Sequence, residues 1–141
     1  MKDLSFIIID DTELDHFIAR KVITNANKNF NVKSFLNPYQ ALEHIADNEQ
    51  YQGIKIILVF LDIYMPLMNG FEFVEKFEKL DPKIQEKYYI VALTSSVEVS
   101  DINLIRSYKS FKARVTKPVT ATGLNTLLKK VGKEYDLETG I

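Results

Sequence analysis

Short apolar runs alternate along this chain with segments whose apolar residues recur every three or four positions. The runs are Phe6 to Ile9, Val32 to Phe35, Ile56 to Leu61, Tyr89 to Leu93 and, most weakly, Ala113 to Thr116, where the fifth strand is read at Val115-Thr116. The third run shows no alternation, which predicts a strand covered on both faces. Between the runs, Leu14, Phe17, Ile18 and Val22 predict a first helix with Thr12 placed to cap it. Asn37-Pro38 supplies an N-cap and a first-turn proline for a second helix through Ala41, Leu42, Ile45 and Ala46. Gly70 precedes a third, marked by Phe73, Val74 and Phe77 and ending near Asp81-Pro82. Ser100 is placed to cap a fourth carrying Ile102, Ile105 and Arg106, and Leu124, Leu127, Leu128 and Val131 mark the last. Five βα units in succession predict an α/β fold, a doubly wound parallel sheet with helices on both faces. It is read as one domain over residues 1–131, followed by a short tail over 132–141 with no output domain.

Four of the five runs stop at a polar residue. Asp10 and Asp11 follow the first, Asp62 the third, Thr94 the fourth, and Lys117-Pro118 the fifth. In an open parallel sheet those positions share the carboxyl edge, where ligands bind. Composition narrows what they can do. The chain is 46% hydrophobic and 26% charged, as ordinary globular proteins are, and a net charge of -1 leaves no positive surplus for nucleic acid. Without cysteine there is no disulfide, thiolate or cysteine-ligated zinc. No signal-peptide pattern opens the chain and no apolar run approaches a membrane span, so a cytoplasmic protein without membrane insertion is expected.

Two unit charges about 4 Å apart repel by roughly 4 kcal/mol at an effective dielectric near 20. Asp10, Asp11 and Asp62, brought together, must therefore hold protons or a cation. Their all-oxygen donor set favours Mg²⁺ or Mn²⁺ over zinc and leaves open positions for a phosphoryl ligand. Lys117 adds a point charge for a phosphate oxygen, Thr94 a hydroxyl, and Asp62, alone at its strand end, is the candidate nucleophile. Each feature in isolation has a plainer reading as a turn or a helix cap; it is their coincidence at strand ends that selects the site. His16 and His44 are read as surface residues without metal or phosphotransfer roles. Phe71, Phe73 and Phe77 are read as helix core, and Met65 and Met68 as packing.

These residues resemble the receiver domain of two-component response regulators, of the single-domain chemotaxis type. The resemblance covers about residues 4 to 131. It rests on Ile8-Ile9-Asp10-Asp11, Leu61-Asp62-Ile63-Tyr64-Met65-Pro66-Leu67-Met68-Asn69-Gly70, Ala92-Leu93-Thr94-Ser95 and Lys117-Pro118, all in order. It implies the flavodoxin-like strand order 2-1-3-4-5. It further implies a stand-alone phosphoacceptor in which Asp62 takes a phosphoryl group from a histidine kinase or histidine phosphotransfer protein. Asp10, Asp11, Asp62 and the backbone carbonyl of Tyr64 would then arrange Mg²⁺. Lys117 would pair with the phosphoryl oxygens, Thr94 would move inward to hydrogen-bond one of them, and the Lys117-Pro118 bond would be cis. Tyr64 and Ser96 would flank the site and tune the phosphoryl lifetime. A protein target downstream would read the signal, and the domain would not be an enzyme beyond its own phosphorylation and dephosphorylation.

Two departures stand out. Where the family carries an aromatic switch residue, three positions before the lysine, this chain has Arg114, which cannot bury itself as a ring does. The stretch Lys109-Ser110-Phe111-Lys112-Ala113 lacks the family's Gly-Ala turn, and positive charge gathers at Arg106, Lys109, Lys112 and Arg114. An acidic partner surface is the expected complement. Other functions fit less well. A haloacid-dehalogenase-type phosphohydrolase wants an aspartate two residues after the nucleophile, where Tyr64 stands. A flavodoxin-like cofactor binder wants a phosphate-cradling loop after the first strand. A receiver that binds partners without phosphorylation would not need the intact acidic set.

Overall fold

A computed structural model of the chain describes residues 3–47, 53–95 and 98–137. Five strands form one parallel sheet: β1 (Leu4–Ile9), β2 (Asn31–Phe35), β3 (Ile56–Asp62), β4 (Tyr88–Thr94) and β5 (Phe111–Thr116). Their order is β2-β1-β3-β4-β5, as the resemblance implied. The three central strands are buried at every residue, whereas β2 and β5 at the edges are partly exposed. Unbroken apolar runs at the centre and mixed patterns at the rim are what a sheet covered on both faces requires.

The helices are α1 (Glu13–Ala26), α2 (Pro38–Ala46), α3 (Gly70–Phe77), α4 (Pro82–Gln85), α5 (Val99–Ser107) and α6 (Ala121–Tyr135). Successive strand residues point to opposite faces and build two cores. Ile7, Ile9, Val59, Leu61, Ile90 and Ala92 pack against α2, α3 and α5, with Met65 and Met68 beside them. Phe6, Ile8, Leu58, Phe60, Val91 and Leu93 pack against α1 and α6.

Several boundaries differ from the sequence reading. The Asp81-Pro82 signal starts α4 rather than ending α3, because the Asp81 side chain accepts from the Lys83 N–H with proline in the first turn. Ser100 lies inside α5, whose N-cap is Glu98. The last helix runs past Gly132 to Tyr135 and closes at Asp136 in the left-handed conformation (φ 53°), so helix occupies the first residues of the stretch read as a tail. In α1 the buried residues are His16, Ala19 and Ile23, while Leu14 and Phe17 are 66% and 63% exposed. Of the four apolar residues that mark this helix in the sequence, Val22 packs against the core and Ile18 is half-buried, whereas Leu14 and Phe17 face outward.

Candidate functional site

Strand register gathers the polar strand ends. Ile9 pairs with Leu61, so Asp10 follows directly beside Asp62. Asp62 pairs with Leu93, one residue short of Thr94, and Thr94 pairs with Thr116, one short of Lys117. Pleat parity decides which face each serves. Asp10 and Asp62 continue the residues that face α1 and α6, whereas Thr94 continues the opposite set. Thr94 is buried, and its carbonyl accepts the Lys117 N–H at 2.8 Å.

Lys117 reaches the acidic face because β5 contains a bulge. Ile90 pairs with Phe111 but Val91 pairs with Ala113, which leaves Lys112 as the extra residue. Phe111 accordingly packs on the α2, α3 and α5 side, while Ala113 and Val115 pack with α1 and α6. Re-aiming the side chains beyond it is what a bulge does. Lys117 then crosses the end of β4 to meet carboxylates from β1, β3 and α1. Its Nζ lies 2.9 Å from Asp10 Oδ2, 2.8 Å from Asp15 Oδ2 and 3.5 Å from Asp62 Oδ2. The Lys117-Pro118 bond is cis.

One ammonium thus faces several carboxylates. Oxygens of Asp10, Asp11 and Asp62 lie within 4.8 Å of one another, with Asp10 and Asp62 buried and Asp11 exposed. Burial is the main reason that the Asp62 carboxyl is pushed up to about 6; the Tyr64 N–H opposes the shift and the charge of Asp10 adds to it. Burial also pulls the Lys117 ammonium down, but its short contacts with Asp10 and Asp15 and the charges of Asp10 and Asp62 outweigh it and raise the group. Asp15 is lowered, chiefly by its bond to Lys117. Asp10 Oδ2 is sealed from solvent and takes no directed hydrogen bond; its contact is the ion pair with Lys117. A hard cation fits this all-oxygen set, since it would neutralise the buried charge that a single lysine leaves.

The loops fix the carboxylates. Thr12 occupies the N-cap position of α1, yet its side chain makes no cap bond. Its N–H and hydroxyl instead donate to Asp10 Oδ1 at 3.0 and 3.2 Å. His16, read from sequence as a surface residue, is buried, with Nε2 at 2.8 Å from the Asp10 carbonyl oxygen. A carbonyl at a strand end needs a donor once its neighbours are buried, and α1 supplies one. His44 is half-buried and packs on Phe35, with ring centroids 5.1 Å apart. After β3, the Tyr64 N–H donates to Asp62 Oδ1 at 3.1 Å, and the exposed Tyr64 hydroxyl donates to Asp101 on α5 at 2.7 Å. Asn69 and Glu72 form a capping box on α3. Gly70 lies so close to the loop that a Cβ there would sit 2.8 Å from Ile63 Cα.

Arg114 is exposed, with its guanidinium donating to Thr116 Oγ1 at 3.4 Å, so no ring is buried at that position. Ser96 lies outside the described residues. Sequence reasoning missed Asp15, His16 and the Lys112 bulge. Asp15 carried a faint signal, since the first turn of a helix entering from β1 must overhang the carboxyl edge. A bulge in an edge strand has no signature in this sequence.

A parallel sheet in this order with an acidic pocket and an opposed lysine at its carboxyl edge defines a class, the flavodoxin-like receiver fold. The profile of the response regulator receiver domain matches residues 6–129, and the chain belongs to that family. It is similar to a two component response regulator from Cytophaga hutchinsonii, 27% identical with a TM-score of 0.81, covering 94% of this chain and 99% of that one. A response regulator receiver protein from Dyadobacter fermentans is also 27% identical, with a TM-score of 0.77 and coverage of 90% and 96%. Among curated relatives, hybrid signal transduction histidine kinase L of Dictyostelium discoideum is 27% identical over 139 residues, which is 95% of this chain but 8% of that protein. The autoinducer 1 sensor kinase/phosphatase LuxN of Vibrio campbellii is 25% identical over 122 residues, 86% of this chain and 13% of that protein. The chain therefore spans about a tenth of the length of these relatives and is homologous to their receiver domains. Among the described residues no helix is long and apolar enough to cross a membrane.

Proposed function

We propose that Asp62 accepts a phosphoryl group from a phosphohistidine of a histidine kinase or phosphotransfer protein. The observation that carries this reading is the convergence of Lys117 with Asp10 and Asp62 on one face of the sheet edge. In the transfer, an Asp62 carboxylate oxygen forms a bond to phosphorus while the phosphorus–nitrogen bond of the donor breaks, and the leaving imidazole regains its proton. Asp10, Asp11, Asp62 and the backbone carbonyl of Tyr64 would hold Mg²⁺ or Mn²⁺. When bound, that ion neutralises charge on the phosphoryl oxygens. Lys117 supplies a positive point charge to the same oxygens, and the Thr94 hydroxyl, which continues the other face of β4 here, would move inward to donate to one of them. Exposed Leu14 and Phe17, flanking Asp15 on α1, offer an apolar surface beside the pocket for a protein donor. Arg106, Lys112 and Arg114 line one shallow cavity between α5 and β5, where an acidic downstream partner would dock.

Incubation with acetyl phosphate and Mg²⁺, followed by intact mass measurement, tests the central claim. The expected product carries one phosphoryl group, requires the divalent ion and disappears in Asp62→Asn. Rapid multiple-turnover hydrolysis without a stable adduct would point instead to a phosphohydrolase.

A further inference from the structure

The shortest contact of the Lys117 ammonium is with Asp15, at 2.8 Å, and not with Asp62, at 3.5 Å. Asp15 lies outside the set of three carboxylates whose oxygens cluster within 4.8 Å. It sits in the first turn of α1 with a side chain 30% exposed, and it is paired with Lys117 across 102 residues of chain. An ammonium has three donors in fixed tetrahedral directions. Here two of its short contacts go to Asp10 and Asp15, and the separation from Asp62 exceeds the range of a good charge-assisted bond. The lysine stem is flexible, so removing one anchor lets the head swing toward the remaining carboxylates.

We infer that Asp15 is a positioning residue that draws the Lys117 ammonium toward α1 and away from Asp62, and so restrains phosphoryl uptake. This rests on the reading of Asp62 as phosphoacceptor. The restraint has two parts of the same sign. Lys117 shares its charge between two other carboxylates and offers less of it to an incoming phosphoryl oxygen. The Asp15 charge itself repels an anionic donor approaching the pocket mouth. Asp15→Asn keeps the shape and an accepting oxygen but removes the charge, which frees the ammonium to settle on Asp62.

The full chain, its Asp15→Asn and Lys117→Met variants and the double variant are compared in two measurements. In the first, magnesium alone is titrated and its affinity is read by calorimetry. Losing a nearby negative charge weakens Mg²⁺ binding in either background. Only with Lys117 present does the freed ammonium also move onto the ligand carboxylates. The expected result is a loss several-fold larger in the Lys117 background than in the Lys117→Met background; equal losses overturn the inference. In the second, acetyl phosphate with Mg²⁺ at a concentration that saturates every variant is followed by intact mass. Asp15→Asn is expected to be phosphorylated about threefold to tenfold faster than the unsubstituted chain, with an advantage that shrinks as salt is raised. Asp15→Glu is expected to stay close to the unsubstituted rate, and Asp15→Ser to reproduce Asp15→Asn should that variant fold poorly. An unchanged or slower rate in the charge-removing variants overturns the inference. If the unsubstituted chain takes no phosphoryl group at all, the phosphoacceptor reading fails, while the magnesium comparison still decides whether Asp15 restrains Lys117.

Discussion

The carboxyl ends of the central strands and the outer edge of β5 are built on different terms. At the centre, β1, β3 and β4 are buried along their whole length, and Asp10 and Asp62 are held by Thr12, Lys117 and Tyr64 at defined atoms. At the edge, residues of β5 are alternately covered and exposed, and Arg114 lies on the outside. Burial on both faces leaves a strand end little freedom, so charge placed there acts from a fixed point. Charge on an open edge can change without disturbing the core. The lesson is a division of labour: the centre holds its charged groups at fixed points, and the edge is where surface charge can vary. On the proposed function the first serves the chemistry and the second partner recognition.

The strongest way to break this contrast is to remove core from under the pocket. Phe60 is fully buried and stacks on Phe6 with centroids 6.2 Å apart. Phe60→Ala is expected to lose about 3–5 kcal/mol in urea denaturation; a loss near zero would deny the central strands their role. Next in size is Gly70→Ala. Its Cβ would meet Ile63 Cα at 2.8 Å and Ile63 Cγ2 at 2.9 Å, with backbone on one side unable to yield. The expected loss is about 1–3 kcal/mol, together with weaker Mg²⁺ binding because the loop after Asp62 must shift.

A smaller effect sharpens the contrast through pH. The Asp62 carboxyl stands at about 6 in the folded chain against an ordinary 3.8, so the folded form holds its proton more tightly than the unfolded form. Its contribution to stability is therefore fully present below about 4 and is lost as pH rises through about 6, provided no divalent ion is present. Urea midpoints of the chain and of Asp62→Asn, measured in chelator at pH 4 and pH 7, should diverge, with the variant gaining relative stability at the higher pH. Parallel pH responses would contradict the burial of that charge. At the bottom of the scale, Arg114→Ala is expected to change stability by no more than about 0.5 kcal/mol. A larger loss would mean that the edge is structural after all.

Much of this was legible before any coordinates. Apolar runs ending in Asp10, Asp62, Thr94 and Lys117 announced both the strands and the site, because a polar residue at the end of a buried strand has few other reasons to be there. The order of those motifs named the family. What stayed hidden obeyed a different logic. Leu14 and Phe17 have core-like spacing yet face outward, while polar His16 turns inward to serve the Asp10 carbonyl. Near a functional edge, the need to satisfy a buried backbone group overrides hydropathy. Asp15 read as an ordinary first-turn acid favoured by the helix dipole, and nothing in its neighbours revealed a lysine 102 residues away. Thr12 was placed correctly as an N-cap, but its hydroxyl is diverted to the pocket.

The bulge at Lys112 makes β5 a text with a reading frame. Each strand spells its side chains alternately to one face and the other, and one extra letter shifts everything after it. Lys117 reaches the acidic pocket only in the shifted frame. Exchanging Lys112 for another residue leaves the frame intact, and deleting it would leave a regular strand in which Ala113 still pairs with Val91 and Lys117 still faces Asp10 and Asp62. Flattening the bulge with every residue kept is what would turn Lys117 toward the α2, α3 and α5 side. A lineage of such chains can therefore rewrite this edge freely by substitution, and can even lose the extra residue, so long as the pairing of Val91 with Ala113 and of Thr94 with Thr116 that carries Lys117 to the pocket is kept.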